Sequence, residues 1–191
     1  MLFGQVANFK TNSNIPIEKW PIAINTYLKQ SIRIQNAEEV EERFHSRFNC
    51  KEKTYRYIIN NSKYGTAICR NMEYNFSQKL DIDAMKKAVK YFEGEHDFKA
   101  FKASGTSSKS SVRTIYKANI EKEGDKVYIE LTGNGFLYNM VRIIAGTLLE
   151  VGIGKIIPEQ IPEIIKDGNR ENAGKTLPPQ GLYLVNVKYV L

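Results

Sequence analysis

The feature that most constrains the fold of this chain is its longest apolar-rich run, from Phe136 to Val151. The surrounding segment "NGFLYNMVRIIAGTLLEVG" is apolar on nearly every side of a helix, which predicts a helix buried on most of its surface. Asn139, Arg142 and Glu150 interrupt the run, so we do not interpret it as a membrane span. At 191 residues, the chain is long enough for one sizeable core or two small, tightly joined subdomains.

The patterns around this helix predict an α+β fold. "DIDAMKKAVKYFEG" has apolar residues at helical spacing, an Asp at its start and a Gly at its end. "SVRTIYKANIEKEGDKVYIELTG" predicts a β-hairpin around a Glu-Gly-Asp turn. An amphipathic helix near Pro158 to Asp167 and a final strand in "GLYLVNVKYV" follow. This order predicts a mostly antiparallel sheet with helices on one face.

The first third of the chain is less regular. "GQVANF" (Gly4 to Phe9) and "SIRIQNAEEV" are strand-like, and a helix is predicted between Pro21 and Lys29. Residues 53–60 predict a strand in which Lys53, Tyr55, Tyr57 and Ile59 share one face.

Charge and cysteine content limit the classes of function. The net charge of +7 favours a polyanion partner, with a merely basic soluble protein as the alternative. The 2 cysteines, without a CxxC or a suitable His spacing, disfavour a disulfide framework or a zinc site and indicate a reducing cytoplasm. We find no signal peptide, phosphate-cradling loop or dinucleotide-binding glycine pattern, and we expect no cofactor and no metal.

Arg142 is the most informative single residue, because an arginine inside an apolar helix needs a partner. Its guanidinium could extend to water or pair with a structural carboxylate such as Glu150. It could instead hold an active-site carboxylate in its ionised form. The spacing alone does not choose between these interpretations.

Tyr55 leaves a similar choice between core packing and function. With Arg47, Lys53 and Arg56 nearby in sequence, its ring could stack on a base while the cations hold phosphates. The Ser- and Gly-rich stretch "FKASGTSSKSSVRT" is either a solvated loop or a second phosphate-contacting segment. The cations of that stretch are Lys102, Lys109 and Arg113.

Five blocks, in this order, together resemble the tRNA pseudouridine synthase A family along essentially the whole chain. They are "GQVANF", "FHSRFNCKEKTYRYII", "GEHDFKAF" with "SSVRTI", "GNGFLYNMVRIIAGTLLEVG" and "GLYLVNVKY". The resemblance implies the pseudouridine synthase fold and an isomerase that converts uridine to pseudouridine at positions 38 to 40 of the tRNA anticodon stem-loop. It also implies a cofactor-free homodimer with a basic cleft between two related halves.

Carried onto this sequence, the resemblance gives six of the candidate residues a role. Tyr55 would stack on the target uracil, and Arg142 would pair with the catalytic aspartate. Arg47 and Lys53 would lie near RNA phosphate, while Phe136 and Met140 would form the apolar floor of the base pocket. Residues 1–50 would complete the N-terminal half of the catalytic domain, and residues 51–191 would form the C-terminal half.

One departure from the family pattern concerns the nucleophile. The family carries its aspartate in a "GRTDxGVHA"-type motif directly ahead of the "GQV" strand, and no "GRTD" occurs in this sequence. We therefore expect a chain that lacks the family's first strand and helix and is inactive alone. Alternatives are a non-catalytic RNA-binding module that retains the cleft, or a protein whose basic face serves only solubility.

Overall fold

The structure is a computed structural model that describes residues 4–105 and 110–189. Within these ranges the chain forms two compact units, one of residues 6–49 and one of residues 50–189 together with residues 4–5. The assignment of residues 1–50 and 51–191 to two halves of one catalytic domain stays a prediction.

The smaller unit contains one short helix, α1 (Trp20–Asn25), with a proline in its first turn as predicted. The helix ends at Asn25, earlier than the predicted Lys29, and the Asn25 side chain pairs with the backbone of Ile34. Its Nδ2 donates to the Ile34 carbonyl at 2.9 Å, and its Oδ1 accepts from the Ile34 N–H at 2.8 Å.

Two predicted strands, "SIRIQNAEEV" and "GQVANF", are absent from the described residues. No residue between 6 and 49 is buried, so an alternating pattern there has no core face to hold it in a sheet. In place of a strand ladder, the Asn8 amide donates to the Phe44 carbonyl and accepts from the Ser46 N–H. The strand prediction was therefore wrong for both segments.

The larger unit is built on a sheet of six strands among the described residues. These are β1 (Cys50–Asn60), β2 (Tyr74–Asn75), β3 (Gly94–Asp97), β4 (Val112–Glu123), β5 (Lys126–Gly133) and β6 (Leu182–Tyr189). Strand β5 pairs antiparallel with β1 along one edge, while β6 and the short parallel strand β2 share the other edge. Strands β4 and β3 follow on the far side of β5, also antiparallel. The predicted α+β fold with a mostly antiparallel sheet is confirmed.

Three helices accompany this sheet: α2 (Ile82–Lys90), α3 (Met140–Gly152) and α4 (Ile161–Asp167). Asp81 caps α2 by accepting the Ala84 N–H at 2.9 Å, which satisfies a backbone donor that the helix leaves unpaired. Helix α2 packs on α3 and β4, and α3 packs on β1. The core lies between these helices and the sheet and includes Phe92, Ile129 and Leu131, all fully buried.

Helix α3 begins four residues later than the apolar pattern predicts, because Asn139 has a left-handed backbone with φ 60°. A left-handed residue cannot continue a right-handed helix, so residues 136–139 form an irregular segment before α3. The Tyr138 carbonyl in this segment accepts the Ala103 N–H at 3.2 Å. The helix itself is largely buried, and no described helix is long and apolar enough to cross a membrane.

Candidate active site

Tyr55, in the middle of β1, contacts Phe136, which lies a few residues before the start of α3. Their ring centroids are 5.2 Å apart and their planes are nearly perpendicular, at 80°, which is an edge-to-face arrangement. Burial raises the pKa of the Tyr55 phenol, and the charge of a Cys50 thiolate would raise it further. Tyr55 is nevertheless only partly buried, and its hydroxyl makes no hydrogen bond to the residues that the structure describes. The ring therefore presents a neutral phenol at the edge of the core.

Tyr57, two residues further along β1, ties this face of the sheet to the chain after α4. It is fully buried, and its hydroxyl donates to the Pro178 carbonyl at 2.7 Å. Burial raises the pKa of this phenol strongly, while the nearby positive charge of Arg142 opposes the rise. Because residues two apart in a strand share a face, Tyr55, Tyr57 and Arg142 lie on the same side of the sheet.

Arg142 is held by two neutral oxygen atoms. Its Nε donates to the Leu177 carbonyl at 2.6 Å, and its Nη1 donates to the Asn139 side-chain oxygen at 2.8 Å. Glu150, considered above as a structural partner, instead accepts the backbone N–H of Lys175 at 3.4 Å. Within the described ranges Arg142 forms no ion pair, so its charge is oriented without being neutralised.

Arg142 is half-buried, and two of the three guanidinium nitrogens take part in these hydrogen bonds. A guanidinium carries more N–H donors than the two used here. No side-chain nitrogen in residues 4–105 and 110–189 is both buried and without a hydrogen bond. The Nη2 atom, which has no partner among these residues, is therefore accessible to an added acceptor such as a carboxylate.

The two carbonyl groups at this site belong to residues 173–178, which we call the crossing segment because it passes over α3. A side-chain Cβ on Gly146 would lie 1.8 Å from the Lys175 carbonyl oxygen, so only glycine permits this approach. The Gly174 N–H also donates to the Thr147 hydroxyl at 2.8 Å. Sequence reasoning missed this segment, although a glycine inside an apolar helix usually has a packing reason and could have indicated it.

Several of the predicted cations and apolar residues lie on the segments that form this site. Lys53 shares the face of Tyr55, and the Arg113 side chain passes close to the backbone of Gly135, beside Phe136. Lys102 precedes Ala103, whose N–H contacts the irregular segment 136–139. Met140 is fully buried below that segment, where its sulfur receives the Leu137 N–H at 3.5 Å.

Arg56 does not share the face of Tyr55, and the structure does not test the assignments of Arg47 and Lys109. Arg56 alternates with Tyr55 and therefore points to the opposite face, where it donates to Glu130 at 2.7 and 3.0 Å and lies over the Tyr128 ring. Arg47 belongs to the smaller unit, where its guanidinium lies 5.7 Å from the Phe48 ring centroid. Lys109 lies outside the described residues. The substrate contacts assigned to these residues stay predictions, and the face occupied by Arg56 does not favour its assignment.

Metal ligands are not assembled in the described part of the chain, where no three His, Cys, Asp or Glu side chains form a possible metal site.

Comparison with known proteins identifies the family. The family model described as tRNA pseudouridine synthase matches residues 88–190. The tRNA pseudouridine synthase A of Acetivibrio thermocellus is 52% identical over 186 residues, which cover 97% of this chain and 76% of that protein. The corresponding protein of Bacillus subtilis is 44% identical over 186 residues, covering 97% of this chain and 75% of its own. The chain therefore belongs to the tRNA pseudouridine synthase A family, as the five sequence blocks predicted.

Proposed function

We propose that this protein is a tRNA pseudouridine synthase whose site is formed around Tyr55 and Arg142. The observation that carries the proposal is that an accessible tyrosine ring and an oriented, unneutralised guanidinium lie on one face of the sheet. Family membership supports the same reaction, because the relatives are named as tRNA pseudouridine synthases.

The reaction breaks the bond between N1 of uracil and C1′ of ribose and forms a bond from C5 to C1′. The C5 proton is lost and N1 gains a proton, so no redox cofactor is consumed. To react, the nucleotide has to leave its stack, at a cost of a few kcal/mol. We propose that the Tyr55 ring stacks on the displaced base. Stacking of one base on one aromatic ring contributes about 1–3 kcal/mol, which would offset part of that cost.

In this proposal Arg142 does not contact the nucleotide; it pairs with the carboxylate that attacks the nucleotide. A guanidinium next to a carboxylate lowers the pKa of that acid and keeps it ionised. The Leu177 and Asn139 oxygens turn the guanidinium without cancelling its charge, so an arriving carboxylate meets a full positive charge in a defined plane.

The RNA substrate is the finer part of the proposal. We propose uridines 38 to 40 of the anticodon stem-loop as targets, with phosphate contacts from Lys53, Lys102 and Arg113. The net charge of +7 supports a polyanionic partner. We also propose a cytoplasmic homodimer. The two free thiols, Cys50 and Cys69, suit a reducing compartment, and sedimentation of the purified protein tests the dimer.

A second candidate is RNA binding without turnover. It is favoured by one observation, the lack of a Gly-Arg-Thr-Asp sequence in the 191 residues. Release of tritium from tRNA labelled at C5 of uridine measures turnover, because the isomerisation removes that hydrogen and binding alone does not. We expect the 191-residue polypeptide to bind tRNA and release no tritium.

The decisive comparison is a variant that carries the family's Gly-Arg-Thr-Asp motif ahead of Gly4. Tritium release from this variant, and its loss when the added Asp becomes Asn, supports the synthase. If the variant binds tRNA as the 191-residue polypeptide does but releases nothing, the binding module is the better description.

A further inference from the structure

Asn139 has a backbone conformation that residues with side chains rarely adopt. Its φ is 60° and its ψ is 7°, and among residues 4–105 and 110–189 it is the one non-glycine with a positive φ. Such a conformation costs free energy and persists where the surrounding structure imposes it. Asparagine tolerates it better than most residues, although glycine would adopt it without strain.

Helix capping does not explain this conformation of Asn139. It directly precedes α3, where an asparagine normally has an extended backbone and accepts a helix N–H with its side chain. Asn139 makes no such side-chain bond. Asn169 provides a comparison within the same unit, because it has an extended backbone with φ −79° and its Oδ1 accepts the Glu171 N–H at 3.0 Å.

The Asn139 side chain instead contacts Arg142. Its Oδ1 accepts from Nη1 at 2.8 Å, while the Leu177 carbonyl accepts from Nε at 2.6 Å. Because the guanidinium group is planar, hydrogen bonds from two of its nitrogens fix the orientation of its plane. Both acceptors are uncharged, so the positive charge remains for another group.

We propose that Asn139 is a positioning residue for Arg142. Its left-handed backbone brings the amide oxygen to Nη1, and the amide turns the guanidinium toward its catalytic partner without neutralising it. An aspartate at this position would also hold Nη1, but it would pair with the charge and compete with the catalytic carboxylate. This inference rests on the proposed function, in which Arg142 holds that carboxylate.

The test uses the 191-residue protein labelled with ¹⁵N-arginine, with the Arg142 side-chain signals assigned by their loss in Arg142→Lys. Asn139→Gly removes the acceptor and relieves the backbone at the same time. We expect its unfolding midpoint to equal or exceed that of the unchanged protein. Proton exchange at the Arg142 Nη1 group should accelerate by about tenfold or more, because a hydrogen bond to a charged group is lost. The Nε–H signal, which reports the bond to Leu177, should change much less.

Two further variants complete the test. Asn139→Asp keeps an oxygen at Nη1, so slow exchange at this group should be retained. Asn169→Gly removes an asparagine that caps a helix, so it should lower the unfolding midpoint and leave the Arg142 signals unchanged.

Two results would overturn the inference. One is unchanged exchange at Nη1 in Asn139→Gly. The other is a fall in its unfolding midpoint as large as that of Asn169→Gly, which would make Asn139 a structural cap. Because these measurements contain no RNA, their outcome is independent of tritium release, which tests the proposed function separately.

Discussion

Arg142 and Leu177 are joined by reciprocal bonds although they lie 35 positions apart in the sequence. The Arg142 Nε–H donates to the Leu177 carbonyl at 2.6 Å, and the Leu177 N–H donates to the Arg142 carbonyl at 3.3 Å. The side chain and the backbone of one helical residue therefore both bind the crossing segment. This relationship makes Arg142 part of the packing around α3 as well as a candidate for chemistry.

Arg142→Met should destabilise the protein by about 1–3 kcal/mol, because it leaves the Leu177 carbonyl and the Asn139 oxygen without their donors. Urea unfolding measures the difference. Arg43→Met is the matched control, because Arg43 is exposed and contacts only Glu41 among the described residues; its effect should stay within about 0.5 kcal/mol. Equal stability of the two variants would mean that Arg142 has no structural role.

Tyr55→Phe and Tyr57→Phe should have different effects although the two residues share one strand face. Tyr57→Phe removes the hydrogen bond from the buried Tyr57 side chain to the half-buried Pro178 carbonyl and should cost about 1–3 kcal/mol of unfolding free energy. Tyr55→Phe breaks no hydrogen bond to a described residue and should leave stability within about 0.5 kcal/mol. Thermal and urea unfolding of both variants provide the comparison. A larger loss from Tyr55→Phe would show that its hydroxyl has a structural partner.

Glu73 should make stability fall as the solution becomes acidic. Burial alone raises the pKa of this carboxyl, but hydrogen bonds from Asn60, Lys126 and Thr66 lower it below its usual range. A carboxyl with a lowered folded-state pKa stabilises the protein above its unfolded pKa of about 4.3, and that contribution is lost as pH falls through the folded pKa. Glu73→Gln should therefore flatten the decline in unfolding free energy below about pH 5.

Glu159→Gln is the control for this pH dependence. Its pKa is lowered by hydrogen bonding and charge from Lys87, but both side chains are more than half exposed. At 0.5 M salt the Debye length is only about 4–5 Å, so the effect of Glu159 should largely disappear while that of the buried Glu73 remains. A pH profile unchanged by Glu73→Gln would contradict the structural role of this carboxylate.

Binding of tRNA should depend on salt, and the cations near Tyr55 should contribute to that dependence. Lys53→Ala and Arg113→Ala should each weaken binding and reduce the slope of log K against log salt by about 1, as expected for the loss of one phosphate contact. Arg56→Ala should leave the slope unchanged, because Arg56 lies on the opposite face with Glu130. Fluorescence anisotropy over a salt series measures all three. A steeper loss from Arg56→Ala than from Lys53→Ala would place the RNA on the other face.

Local periodicity was sufficient to predict most of the larger unit. The structure contains the predicted hairpin as β4 and β5, the predicted amphipathic helices as α2 and α4, and the predicted final strand as β6. Each of these elements buries one face against the core, so the spacing of its apolar residues matches the period of the helix or strand that it forms. The same spacing failed in residues 31–40, where no described residue is buried and the pattern has nothing to pack against.

The sequence also determined which residue types were chemically unusual. An arginine within an apolar helix and a tyrosine among cations could be identified without any structure. Which groups bind them was decided by the tertiary structure. The Leu177 carbonyl reaches Arg142 because Gly146 lets the crossing segment approach α3, and Arg56 turns away from Tyr55 to meet Glu130 on β5. Every residue has a backbone carbonyl, so the sequence does not indicate which carbonyl will accept a hydrogen bond from Arg142. The partner of a side chain on another strand or helix depends on strand register and packing, which are established only when the chain folds.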